Sequence, residues 1–270
     1  MNFTNLILYP FTFEVSSLNL GIYRFVFFLF FLLWQIKNFR DINLILKNLN
    51  VKNNIKDKIF SLFSSNTVLS LSIFANVMCV VGIFGNLSIL LFSFLFLCII
   101  DKINYFMGTT GDIVARAILF FLLLSPCTCS FSIDCLIFTG SFVNEATKMV
   151  PGASILSIQY MLILMYAYTS FVKINDANWI SGEIMHLATI SPIYGKNNLF
   201  SKFFENKTIQ ILGSKLIIYY QYLAIVFLQF QDTKIAYALL GVILHLSMAA
   251  SMNLGYFPYV MILALLSFLI

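Results

Sequence analysis

Phe25-Val26-Phe27-Phe28-Leu29-Phe30-Phe31-Leu32-Leu33 is apolar on every side of a helix. A helix exposed to water keeps a polar face, so this run takes hydrocarbon as its solvent. It sits inside a segment, about residues 18 to 36, long enough to cross a bilayer. Further segments of this kind run at about 68 to 84, 86 to 100, 113 to 125, 154 to 172, 209 to 229, 235 to 252 and 256 to 270. The expectation is an all-α fold, a polytopic transmembrane bundle of about eight helices that fills residues 1–270 as one domain. The last segment begins with Gly255 and Pro258 and is short enough to be re-entrant rather than spanning.

Composition agrees. Hydrophobic residues make up 60% of the chain and charged residues 10%, with a mean hydropathy of +0.93. Soluble domains carry about 25% charged residues, and no soluble fold hides this much apolar surface. The first segment has Glu14 and no basic residue before it, and no small-residue cleavage site after it, so it reads as a retained helix rather than a signal peptide. Between Lys37 and Lys58 lie Arg40, Lys47, Lys52 and Lys56, the strongest charge asymmetry in the chain. The positive-inside rule puts that loop in the cytoplasm. The net charge of +5 comes mainly from such loops, without an aromatic platform beside it, which argues for a lipid bilayer as the partner and against nucleic acid.

No GxxxxGKS, HExxH, GxSxG or GxGxxG motif occurs, so standard nucleotide, zinc-protease and hydrolase chemistry starts without support. Cys127, Cys129 and Cys135 cluster in one connection at spacings that are neither CxxC nor a zinc pattern, and no metal is expected. An extracytoplasmic disulfide and small buried thiols both remain open for them. Asp101, Asp112, Asp134 and Glu145 are placed in connections.

Two patterns inside the membrane carry chemistry. Gln159, Tyr166, Ser170 and Lys173 fall near one face of the fifth segment, a stripe expected to point into the bundle. A lysine closing such a stripe either snorkels to the headgroups or, kept from water, sheds its proton and serves as a base. In the seventh segment His245 shares a face with Gly241, Met248, Ala249 and Met252. The small residues admit a neighbouring backbone, and Met248 and Met252 offer a soft wall for a flat apolar ligand. Arg24, alone in the first segment, requires a carboxylate or backbone carbonyls as partners.

Several stretches, in order, resemble the HTTM domain, the membrane part of vitamin K-dependent gamma-carboxylase and its bacterial relatives. Ser17-Leu18-Asn19-Leu20-Gly21-Ile22-Tyr23-Arg24-Phe25 is similar to the family's opening segment, with Arg24 on its recurrent arginine. Asp101-Lys102 resembles its "DK" turn, and Leu124-Ser125-Pro126 followed by Ser132-Ile133-Asp134 its "lsP" and "S-[VL]-D". Tyr166 through Lys173, then Trp179 and Gly182, is similar to "vYf.aGv.KldadW..G". His245 and Gly255-Tyr256-Phe257-Pro258-Tyr259-Val260-Met261 resemble the closing "H...s.GmFpYvM". Phe171 stands where the family has glycine, and the step from Lys173 to Trp179 is one residue longer.

The resemblance implies Lys173 as the catalytic base toward a reduced naphthoquinone, vitamin K- or menaquinol-like, with His245 as its catalytic companion. Tyr166, Ser170, Met248 and Met252 would line that cofactor, and Arg24, Asp134, Trp179 and Tyr259 are motif positions of structural or functional weight. It further implies a multi-pass protein of the bacterial cytoplasmic membrane. Ile270 directly follows the last membrane segment, so the soluble carboxylase domain is expected to be missing and the substrate to come from a partner, either a second subunit or a secreted peptide precursor. The alternative implied by smaller relatives similar to sporulation-delaying protein B is a maturation or export factor for a secreted toxin or peptide, without catalysis of its own.

Overall fold

A computed structural model describes residues 13–48, 64–107, 110–144, 148–192, 194–196, 202 and 204–270, with the side chains of 48 and 101–107 left aside. Among the described residues, all regular structure is helical apart from two three-residue strands. The chain forms two compact units, residues 1–157 with Ile270, and residues 158–269.

In the first unit, β1 (Glu14–Ser16) pairs antiparallel with β2 (Met149–Pro151), Val15 opposite Val150. Helix α1 (Ser17–Lys37) starts where the Ser16 side chain accepts from the Asn19 N–H and ends where Asn38 donates back to the Trp34 carbonyl at 2.8 Å. Such caps satisfy end groups that lipid cannot. The opening run splits by face: Phe27, Phe28 and Phe31 are fully buried, whereas Leu33 and Ile36 are exposed. Their partners come from α4 (Gly85–Met107), with Phe31 against Phe96 at 5.0 Å and Phe28 against Phe92 at 5.4 Å between ring centroids. Edge-on contacts of this kind are worth about 0.5–1.5 kcal/mol beyond area burial. Helix α2 (Phe39–Asn48) occupies the start of the basic loop and buries Ile42 and Leu46, while residues 49–63 lie outside the described set.

Helix α3 (Ser65–Val81) packs on α1 through a buried amide cluster: Gln35 donates to Ser72 at 2.8 Å and meets Asn76 at 2.9 Å. Helices α5 (Thr110–Leu123) and α6 (Ile133–Thr139) complete the unit, and α7 (Ala153–Ile174) begins in it. Three sequence placements differ from the structure, one of them Asp134, which stands in the first turn of α6 rather than in a connection. Asp101 and Lys102 form no turn, because α4 continues to Met107 with no glycine or proline to stop it before Gly108. Asp112 likewise stands in the first turn of α5, buried, rather than in a connection. Glu145 is outside the described residues.

The second unit holds the rest of α7, then α8 (Ala177–Ile180), α9 (Glu183–Ile190), α10 (Lys207–Phe227), α11 (Gln231–Ser251) and α12 (Phe257–Leu266), which ends in a 3-10 turn at Ser267–Leu269. Four helices, α1, α7, α10 and α11, are long and apolar enough to cross a membrane. All eight predicted segments are helical, but α12 with its 3-10 turn covers Phe257–Leu269, about 20 Å at the helical rise and short of the roughly 30 Å hydrocarbon core. Val260, Ala264, Leu265 and Phe268 are buried, so this segment is held by protein contacts.

Candidate functional site

On α7 the polar stripe turns inward. Gln159, Tyr166 and Ser170 are buried and Lys173 is half-buried, while Leu164, Tyr168 and Phe171 on the other side are about 70% exposed. Gln159 donates to the Ser267 carbonyl at 2.7 Å, holding α7 to the end of α12. Ser170 spends its hydroxyl proton on the Ala167 carbonyl at 2.9 Å, so only its lone pairs remain for another group.

One turn further in, the Tyr166 hydroxyl lies 3.1 Å from His245 Nε2 of α11, both groups buried. The opposite ring nitrogen, Nδ1, is buried without a hydrogen-bond partner among the described residues. A buried donor or acceptor left this way costs about 1–3 kcal/mol, which makes it a place for a ligand's polar atom. Aromatic rings surround the pair. Phe257 stands edge-on to His245 at 5.9 Å, Tyr220 edge-on to Tyr166 at 5.7 Å, and Tyr237 stacks on Tyr220 at 4.8 Å. Gly241 makes room for this, since a Cβ there would come within 2.0 Å of the Tyr220 hydroxyl. Met248 is half-buried on the His245 face. Met252 is buried one residue beyond the helix end, in extended backbone paired with Gly195, so the methionine wall is narrower than an unbroken helix would make it.

Lys173 is the second focus. From the last turn of α7 its Nζ donates to Gln221 Oε1 of α10 at 2.9 Å and lies 4.3 Å over the Trp179 ring. Among the described residues no carboxylate pairs with it. Asp176, three residues on, accepts instead from the Asn178 N–H at 2.8 Å as the cap of α8. Helix α8 is pinned over the lysine because the Ser214 hydroxyl donates to the Trp179 carbonyl and Gly182 lets the chain pass against the backbone of Gln210 and Ile211. Gln221, Tyr220 and Tyr237 escaped sequence reasoning, which reaches Phe257 only as part of the closing motif. Gln221 had a signal, a lone amide inside the apolar and aromatic run Tyr219 to Phe227.

Arg24 and Asp134 belong to a different feature, in the first unit. Arg24 is fully buried, its Nη1 donating to the Cys79 carbonyl at 3.1 Å and its Nη2 to the Phe131 carbonyl. Asp134 accepts from the Phe84 N–H at 3.1 Å and the Gly85 N–H at 2.7 Å, and its own N–H donates to the Gly82 carbonyl at 3.0 Å. Together they fasten the α3–α4 turn to the segment around α6. Cys127, Cys129 and Cys135 are free thiols. Burial pushes Cys127 and Cys129 above the ordinary thiol range. Tyr259 is exposed on α12. Among the described residues no three histidine, cysteine or carboxylate side chains converge.

Compared with known proteins, the chain matches the family model described as the HTTM domain over residues 14–270. No curated protein and no solved structure matches it.

Proposed function

The chain belongs to the HTTM domain family of membrane proteins, and from that premise we propose that it is a gamma-carboxylase-like membrane enzyme or enzyme subunit, of the bacterial cytoplasmic membrane, in which Lys173 acts as a base toward a reduced naphthoquinone of the vitamin K or menaquinol type. The substrate would come from a partner, a second subunit or a secreted peptide precursor. The observation that carries the reading is the seat of Lys173: a half-buried amine whose hydrogen-bond partner is a neutral amide and which no carboxylate among the described residues pins as the ammonium. A base needs that freedom to give up and take back its proton.

The residues suit a flat hydroxylated ring. His245 Nδ1 is a buried polar atom without a partner among the described residues, Tyr166 fixes the imidazole from its other nitrogen, and Tyr220, Phe257 and Met248 supply aromatic and soft apolar contact. When bound, a naphthoquinol would supply the reducing equivalents for a reaction with oxygen. The chain's own part is to orient a hydroxyl at His245, to receive a proton at Lys173 Nζ, and to keep water off both.

Reconstitution in liposomes with a reduced naphthoquinone, following its oxidation, tests this. Lys173→Ala and Lys173→Arg should both abolish turnover in folded protein, since a guanidinium cannot shed its proton. Undiminished turnover in Lys173→Arg would sink the base, whereas no turnover in the wild-type protein would leave a maturation or export factor without its own catalysis as the better account.

A further inference from the structure

Lysine at the end of a membrane helix normally extends along the helix toward water. Lys173 does not. Its Nζ is drawn sideways to Gln221 on a neighbouring helix, and Trp179 lies over it. Gln221 has a second neighbour: the Thr169 hydroxyl, one turn before Lys173 on α7, is 3.3 Å from the same amide oxygen. Thr169 also reaches the Met165 carbonyl at 2.8 Å and the Tyr166 carbonyl at 3.3 Å. Its single proton can go to any of these acceptors while its lone pairs stay open.

This arrangement has a property that neither a carboxylate nor an apolar residue would have. A primary amide presents an acceptor on one side and two donors on the other, exchanged by a half-turn about its last torsion. An ammonium needs the oxygen; a neutral amine, with a lone pair to fill, accepts from the N–H. Thr169 matches both orientations, donating to the oxygen in one and accepting from the nitrogen in the other. Trp179 presents its ring face, a cation–π contact that favours the ammonium, and Asp176 is engaged at Asn178.

We propose that Gln221 is the positioning residue of the site, holding the Lys173 amine in one place through both of its protonation states by turning its side-chain amide, with Thr169 as the partner that accepts either orientation. The proposal rests on Lys173 cycling a proton, as the function above requires. Glutamate at position 221 would keep the shape but offer only acceptors, fixing the ammonium. Methionine would offer neither, and the amine would leave its place under Trp179 for the exposed side.

Acylation by a membrane-permeant N-hydroxysuccinimide ester reads this directly, because only the neutral amine reacts. Mass spectrometry compares label at Lys173 with label at Lys215, an exposed lysine on α10, in the full-length protein in liposomes. Gln221→Glu should lower the Lys173 to Lys215 ratio about tenfold or more, the effect of an opposite charge at hydrogen-bond distance. Gln221→Met should raise it. An unchanged ratio in Gln221→Glu, or a ratio at or below wild type in Gln221→Met, overturns the proposal. If the methionine variant does not fold, the isosteric glutamate variant decides alone. Ratios that move as expected in a protein without quinol turnover would retain the positioning role and discard the enzymatic reading; turnover with unmoved ratios would do the reverse.

Discussion

Gly82→Ala should damage this protein far more than the same change at Gly140. Both glycines end helices in left-handed backbone, Gly82 with φ 69° after α3 and Gly140 with φ 74° after α6, and both donate to the carbonyl four residues back at 2.9 Å. An alanine in that conformation costs about 1–2 kcal/mol at either site. Around Gly140 no atom of the described residues lies within 4 Å of the added Cβ. At Gly82 the Cβ would come within 2.0 Å of Arg24 Nη1 and 2.5 Å of Ser132 Cβ. The guanidinium must move, and it carries hydrogen bonds to the Cys79 and Phe131 carbonyls. Hydrogen bonds to a charged group contribute about 1.5–3 kcal/mol each, so Gly82→Ala should cost about 3–6 kcal/mol more than Gly140→Ala. Thermal unfolding of the two purified variants in detergent, with their abundance in the membrane, gives the comparison. Equal losses would mean that Arg24 is not seated against Gly82, and the structural role assigned to it would fall.

Asp134→Asn removes the charge facing the Phe84 and Gly85 N–H groups and should lower the unfolding temperature, by about 1–2 kcal/mol of stability, without changing helix content by circular dichroism. Tyr166→Phe leaves buried His245 without its Nε2 partner and should cost about 1–3 kcal/mol, together with loss of any quinol turnover; unchanged stability and turnover would show that the contact is incidental. Because burial pushes the thiols of Cys127 and Cys129 up, less thiolate exists at pH 8 than in a free thiol, so iodoacetamide should modify both more slowly than glutathione there, and the gap should narrow as pH rises. Alkylation as fast as glutathione at pH 8, followed by mass spectrometry, would contradict that burial.

The membrane segments were legible because apolar length is a one-dimensional signal: the run from Phe25 to Leu33 needs no partner to be understood. Arg24 was legible for the converse reason, since a lone cation in hydrocarbon demands partners, and backbone carbonyls are what it has. The stripe from Gln159 to Lys173 follows helical periodicity, so its inward face could be read. What it meets could not. Tyr220, Gln221 and Tyr237 come to α7 from helices far along the chain, and their aromatic neighbours in sequence hide them among lipid-facing residues such as Tyr219 and Tyr222. The strands β1 and β2 are too short for a period of two to show, and α8 rests on a single capping aspartate. The helical Asp101 shows the opposite error: a charged pair looks like a loop, yet no breaker follows it until Gly108.

The most direct test of the central claim, that Lys173 and His245 serve one bound quinol, is an experimental structure in a lipid nanodisc with a reduced naphthoquinone added. The ring should lie among Tyr166, Tyr220 and Phe257, one of its oxygens at hydrogen-bond distance from His245 Nδ1 and within reach of Lys173 Nζ. A quinol bound elsewhere, or this cluster closed on itself in the presence of saturating quinol, would contradict it.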